Sequence, residues 1–594
     1  MSQLQYTRII KMSYLNFESK YDKFPKTKIK NHKAIRGYDA IYEELSSKIK
    51  ENDTLVFDYY PGVDEEEVMQ LIHRFDASCL IASYDLFKEE AVITEQMKYH
   101  LTEDRVFGKM YYGDFIDFID EDKLKEAQEK VQQANGLTIV YGVGASLVTT
   151  GDILVYFDMA RWEIQLRYRK GMTNYKTNNP DEDILRKYKR AYFIEWRIAD
   201  KHKARLFEKF DYVIDTNKQN DPKMITGQAF CDSLAQLATR PFRTVPYFDP
   251  GVWGGQWMKE VCHLDKKQKN FAWSFDGVPE ENSILFDYDG VVVELPCMDL
   301  VLYQPKALLG EQIYARFGAE FPIRFDFLDT MGGQNLSLQV HPVTEYIKKN
   351  FGMTYTQDES YYILDAGEGA CVYLGLKENI DKEQMKEQMI EDLRKAQKGE
   401  IVFDAEKYIN KFPAKKHDHF LIPAGTCHCS GNNAMVLEIS ATPYIFTFKL
   451  WDWERLGLDG KPRPVHVEHG KEVIQWYRTT PWVKENLVNA VYEVKEEAND
   501  CKVEHTGLHA LEFIETRRYT TDHITNHDTQ GTVHVLNLID GKEAIVESPD
   551  HAFEPFVVHY AETFIIPAQV GAYTIRPYGE SENEEIKLIK AYVR

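Results

Sequence analysis

The stretch LSLQVHP, Leu336 to Pro342, and its downstream counterpart PAGTCHCSGN, Pro423 to Asn432, decide how the second half of this chain is read. Gln339 and His341 stand two apart in an alternating segment, so in a strand their side chains leave the same face and can reach one ion. His428 follows a Pro-Ala-Gly turn, which ends one strand and aims the next residues back toward a barrel mouth. Glu359 lies between the two stretches, directly before the apolar, aromatic run Tyr361 to Leu364. Two imidazoles, a carboxylate and an amide oxygen form a mixed nitrogen and oxygen set that suits zinc, with room left for water or substrate. A single strand histidine is more often a hydrogen-bonded structural residue. The company of four ligand-type side chains is what favours a metal.

Around these motifs, from Arg240 onward, the texture is short strands, frequent turns and few helices, an all-β pattern. One charged helical insertion, Asp381 to Lys398 within about residues 377–411, interrupts it and reads as a solvated face over the side of a barrel. A further set of short strands runs from Leu511 to Val593. It contains ETFIIPAQVGAYTI, which echoes LIPAGTCH but holds no histidine at the matching place, Val570 to Tyr573. The expected layout is a metal-binding cupin barrel over residues 236–470 and a second, metal-free cupin-like barrel over 471–594.

Residues 1–235 read differently, with the boundary near Thr226 to Thr239. Strand-like segments (Asp53 to Tyr59, Ser78 to Ala82, Leu137 to Val140) alternate with amphipathic helices (Asp64 to Phe75, Asp122 to Gln133), which predicts a parallel sheet with helices on both faces. TIVYGVGASLV and DILVYFDMARWEIQLRYRKG, Thr138 to Val148 and Asp152 to Gly171, look like the third strand, fourth strand and arginine-rich helix of uridine-kinase-like P-loop phosphotransferases. That resemblance implies phosphate-binding glycines, a lysine and a hydroxyl in the loop after the first strand. The loop reads YYPGVDEEE, Tyr59 to Glu67, with no lysine and with acids crowding the place of the phosphates. The domain is therefore expected to be a degenerate kinase-like α/β fold without nucleotide hydrolysis, and Gly142-Val143-Gly144 to be a tight strand-end turn.

Composition bounds the rest. A chain of 594 residues, 43% hydrophobic, can bury large cores and suggests about four domain-sized units. A net charge of -22 spread along the chain argues against a nucleic-acid or anionic membrane surface, so a sugar phosphate would need a local basic pocket. The first twenty residues lack an apolar core of signal-peptide length and no run approaches a membrane span, which makes a cytoplasmic location the expectation. Eight scattered cysteines without paired spacing read as reduced structural thiols.

Several motifs in order resemble class I mannose-6-phosphate isomerases over roughly Arg240 to Arg594. They are VWGGQWMKEV (Val252 to Val261), LSLQVHP, ESYYILDAGEGACVYLGLKE (Glu359 to Glu378), FLIPAGTCHCSGNN (Phe420 to Asn433), FKLWDWER (Phe448 to Arg455) and the closing FIIPAQVGAYTI. The resemblance implies double-stranded β-helix barrels and zinc ligands Gln339, His341, Glu359 and His428, the same four reached from spacing. It further implies interconversion of mannose 6-phosphate and fructose 6-phosphate through an enediolate, with zinc polarising a sugar oxygen while a base moves a proton between C2 and C1. Glu438 in MVLEIS is the carboxylate at the position resembling the family's Glu-Ile-Gln motif, and Lys449 stands where the family usually has an arginine. Gln357 stands where the family usually has a lysine two residues before the zinc glutamate. Both departures bear on phosphate recognition and leave a second reading, a catalytically inactive sugar-sensing module with the same metal pocket.

Trp253, beside two glycines, reads either as core or as a wall of the sugar site; Trp451 and Trp453 read as packing. His417 and His419 alternate beside two lysines and read as a polar strand edge. His466 and His469 have helical zinc-site spacing, but Pro462 and Pro464 argue against a helix there.

Overall fold

The computed structural model describes residues 13–381, 383–443, 445–495 and 501–594. In the first third, β1 (Thr54–Tyr59), β2 (Cys79–Ala82), β3 (Thr138–Gly142), β4 (Ile153–Asp158) and β5 (Tyr212–Asp215) form the parallel portion of one sheet in the order β2-β3-β1-β4-β5. β6 (Lys223–Thr226) adds antiparallel to β5, and Ile35–Arg36 closes that edge. β1 and β4 are buried almost throughout, as a strand covered by helices on both faces must be. Helices α1 (Glu65–Ile72), α2 (Glu121–Gln133), α3 (Arg161–Arg169) and α4 (Ile184–Arg190) fall between the strands, so the expected alternation is present.

The loop after β1 leads into a helix whose N-terminus is capped from within. The Asp64 carboxylate accepts the N–H groups of Glu66 and Glu67, and the first turn of α1 carries three glutamates. A helix N-terminus that attracts anions is thus already neutralised by its own acids. The Gly142-Val143-Gly144 turn is also committed. Asp58, at the end of β1, accepts the N–H of Gly144 at 2.9 Å and that of Ser146 at 3.0 Å.

Downstream of the α/β sheet, a pair of antiparallel sheets face each other. One has six strands: β7 (Tyr247–Asp249), β8 (Trp273–Gly277), β9 (Ile323–Asp329), β11 (Glu359–Ala366), β14 (His419–Ile422) and β16 (Ala434–Ala441), in the order β14-β11-β16-β9-β8-β7. The other has five: β10 (Leu338–Val340), β12 (Cys371–Leu376), β13 (Ile409–Pro413), β15 (His428–Ser430) and β17 (Phe448–Trp451), in the order β13-β12-β15-β10-β17. Such a double sheet buries its inner side chains between the layers and opens at one end. A helix, Glu383–Gln397, lies between β12 and β13. From Tyr492 onward a six-stranded and a four-stranded antiparallel sheet make a second double layer with a core of its own around Leu536, Val546 and Phe564.

The chain does not separate cleanly into consecutive blocks. Lys26–Lys28 pairs in parallel with Leu285 to Asp287, far downstream, and one continuous hydrophobic core joins the α/β sheet to the first double layer. A buried cluster, Lys203 with Asp158 and Asp299, ties the two together: its nitrogen lies 3.1 Å from Asp158 and 2.5 Å from Asp299.

Two histidine expectations are corrected. His419 does lie on the edge strand β14, but it is fully buried rather than polar and open, because the chain at Leu487 to Asn489 covers it: Asn489 N–H donates to the His419 carbonyl at 2.9 Å. Burial lowers its imidazole to a pKa of about 3. A short helix, Val467–Val473, does follow His466, since both prolines lie before its first turn, where proline does no harm.

Candidate metal centre and cavity

Strand pairing assembles the site. Gln339 on β10 is in register with His428 on β15 on one side and with Lys449 on β17 on the other, while Glu359 starts β11 in the facing sheet. His341, Glu359 and His428 are each fully buried, and they form a group of His and carboxylate ligand atoms lying within 4.8 Å of one another. His428 Nε2 is 2.8 Å from Glu359 Oε1, and His341 Nε2 is 3.1 Å from Glu359 Oε2. The other ring nitrogens face carbonyls: His428 Nδ1 the Thr426 oxygen at 2.8 Å, His341 Nδ1 the Phe446 oxygen at 3.4 Å. Donation from Nδ1 fixes the tautomer that leaves Nε2 as a lone-pair ligand.

The residues fit a metal ion. The close contacts of His341 Nε2 and Glu359 Oε1 lack hydrogen-bond geometry, so ligand atoms crowd together without being satisfied, which is costly for buried polar atoms unless a cation joins them. Burial would raise the Glu359 carboxyl, yet His341 and His428 hold it well below the usual range, as a carboxylate ready to ligate. Gln339 approaches with its amide nitrogen 3.2 Å from His428 Nε2; a half-turn of the amide brings its oxygen to the same place.

Behind this cluster runs a network that sequence reading did not find. Gln357 donates to Glu359 at 2.9 Å and to Glu438 at 3.2 Å. Arg324 donates to Glu438 at 2.9 Å and to Asp326 at 3.0 Å. Burial, with Asp326 and Glu359 adding to it, pushes the Glu438 carboxyl well above its usual value against the pull of Arg324. The signal was present in IRFDFLD, where Arg324 and Asp326 sit two apart in a fully buried strand that is apolar but for them and the terminal Asp329.

A cavity of about 350 Å³ opens over this network, lined by Gln339, Gln357, Glu438 and Lys449. Lys449 is only partly exposed, and its ammonium makes no hydrogen bond or ion pair with a described residue. Burial, then Arg463 nearby, pushes it down to about 7 against Asp452. Trp253 also lines the cavity, fully buried and packed edge-on against Trp273 at 4.7 Å between ring centres. Core residue and cavity wall are therefore the same side chain. His466 and His469 stand apart from the cluster, His469 Nδ1 bonding the Tyr346 hydroxyl at 2.7 Å. All eight cysteines are free thiols, and among the described residues no helix is long and apolar enough to cross a membrane.

Residues 37–239 match a domain of unknown function (DUF8485), and the kinase-like reading of that region gains no support from this match. The chain is 27% identical over 225 residues to the mannose-6-phosphate isomerase of Streptococcus mutans, covering 38% of this chain and 64% of the relative. It is 26% identical over 242 residues to the mannose-6-phosphate isomerase ManA of Bacillus subtilis, covering 40% and 69%. The chain thus spans about two thirds of the length of these relatives. Among solved structures it is similar to the mannose 6-phosphate isomerase of Bacillus subtilis, with 18% identity and a TM-score of 0.47 over 59% of this chain and 99% of that one. A phosphomannose isomerase variant from Salmonella typhimurium gives 15% identity and a TM-score of 0.45 over 59% and 99%. The similarity is therefore to mannose-6-phosphate isomerases, over about 40% of this chain in sequence.

Proposed function

We propose that this protein is a zinc-dependent aldose-ketose isomerase that interconverts mannose 6-phosphate and fructose 6-phosphate. The observation that carries the reading is the convergence of His341, Glu359 and His428, with Gln339 in register, at a cavity that also holds Lys449 and Glu438. Gln339, His341, Glu359 and His428 are the residues that would hold the ion, and zinc there would act as a Lewis acid toward the sugar's O1 or O2.

The chain's own groups account for the remaining chemistry. Moving a proton between C2 and C1 needs a carrier within reach of both carbons, and Glu438 is the cavity carboxylate assigned to it. Arg324 and Gln357 fix its orientation through the bonds described above, so that little reorganisation accompanies the transfer. Lys449 places an unpaired cation where negative charge grows on the sugar oxygens of the enediolate. The aromatic walls, Trp253 among them, keep bulk water from the reacting carbons.

Turnover of the two hexose 6-phosphates, measured on full-length protein with and without a chelator, tests the reading. Isomerisation that chelation abolishes and zinc restores is the expected result. Binding of the sugar phosphates with no turnover in either direction would replace it with the sensing module.

A further inference from the structure

The cavity is not built by the double sheet alone. Part of its wall comes from the α/β domain: Gln165 on α3, Tyr188 and Lys189 on α4, and Tyr192 and Trp196 just beyond. α4 continues through a π-helical turn, Ala191–Glu195, into the helix Trp196–Ala204. Such turns cost regular hydrogen bonding and are frequent at functional sites; here Tyr192 lies within the turn and Trp196 directly after it.

Two features of this wall ask for a ligand. The Tyr192 hydroxyl and the Trp196 indole nitrogen are buried and have no hydrogen-bond partner among the described residues, which natural structures rarely tolerate. Lys189, 2% exposed, bonds only the carbonyls of Thr102, at 3.3 Å, and Asp104, and pairs with no carboxylate among the described residues. Lys449, on the facing sheet, likewise pairs with no carboxylate among the described residues. One cavity is therefore lined by two lysines without a carboxylate partner, one from each domain, together with uncommitted hydroxyl and N–H groups. An anionic polyol supplies partners for all of them.

We propose that the N-terminal α/β domain is half of the substrate site, with Lys189 receiving the anionic group of a phosphorylated sugar and Tyr192 and Trp196 bonding its hydroxyls. This rests on the proposed function for the identity of the sugar, while the role of the wall stands on the cavity itself. The acidic first turn of α1 disfavours anions at the loop after β1. The domain meets its anion through α4 instead.

The test uses zinc-loaded, full-length protein with fructose 6-phosphate as ligand and inorganic phosphate as competitor. Lys189→Met should raise KM for fructose 6-phosphate and Ki for phosphate by about tenfold or more, with kcat within about threefold and zinc content unchanged. Lys189→Arg should recover most of the loss. Tyr192→Phe, which removes one oxygen and keeps the packing, should raise KM by about threefold or more. On the wild-type protein, fructose 6-phosphate should slow amide exchange across residues 184–196. Wild-type KM in both Lys189→Met and Tyr192→Phe, or no protection of that segment, would overturn the inference. Binding without turnover that Lys189→Met still weakens would sink the isomerase and uphold the wall; a wild-type protein that binds no hexose 6-phosphate would sink both.

Discussion

Gln339 and His428, 89 residues apart, lie directly opposite each other on antiparallel strands, with side-chain nitrogens 3.2 Å apart. The pairing fixes half of the candidate metal centre through the backbone ladder, and Glu359 from the other sheet closes it at 2.8 Å from His428. Preorganisation of this kind favours tight binding of one ion. The protein should purify with about one zinc per chain. His341→Ala and His428→Ala should each strip it while the far double layer stays folded, and elemental analysis reads the outcome. Full occupancy in the double variant would remove the assignment.

How much of this was open to sequence reading depended on distance along the chain. Gln339 and His341 can be paired from the sequence because a strand repeats every two residues, and His428 joins them as a candidate because its turn residues have fixed geometry. The network of Gln357, Glu438 and Arg324 was not found as a network, since it depends on which strands pair and in what register: Asp326 faces Glu438 and Glu438 faces Tyr361 only once β9, β16 and β11 are side by side. His419 was misread for a related reason. Its polar neighbours suggest an open edge, but a segment seventy residues on covers the strand. Least legible was the wall formed by Lys189, Tyr192 and Trp196, because a helix face that packs against another domain has no period of its own to mark it.

The α/β domain should fold but not hydrolyse nucleoside triphosphates. Asp58 already occupies the N–H groups of the glycine turn, and the Asp64 cap with three glutamates repels the phosphates. Magnesium-dependent ATP hydrolysis by the full chain should stay at the level of a buffer control. Turnover that tracks the protein through purification and is lost in Asp58→Ala would contradict this.

Stability should fall as pH rises through neutrality at one junction. Asp276, 1% exposed, lies 3.7 Å from Arg243 and accepts the Thr563 N–H at 3.3 Å. Burial raises its carboxyl from 3.8 to about 7 against the pull of Arg243. The folded state therefore holds a proton that the unfolded chain has released, so this group's contribution is complete below about pH 4 and lost as pH rises through about 7. The slope is at most about 1.4 kcal/mol per pH unit. Asp276→Asn should flatten it, seen as a smaller drop in melting temperature between about pH 5 and about pH 8 than in the wild type. An unchanged drop would show that Asp276 stays ionised across that range.

Lys449 decides whether the site is a catalyst or a receptor. It stands one strand from Gln339, next to the candidate ligand cluster, whereas Lys189 lines the cavity from the α/β domain. An ammonium is a point charge without the planar fork of arginine, and it can still stabilise an oxyanion that forms next to it. Lys449→Met keeps a side chain of similar volume and removes the charge. If the charge acts on the enediolate, kcat should fall by about 2 to 4 kcal/mol in barrier terms, a factor of roughly thirty to a thousand, with zinc retained. If the charge serves only to hold ground-state phosphate, KM should rise and kcat stay near wild type. The two outcomes also separate Lys449 from Lys189, because the Lys189→Met variant is expected to show the second pattern. A Lys449→Met enzyme with both constants unchanged would leave the enediolate without a cation from this chain, and the assignment of Lys449 would fall.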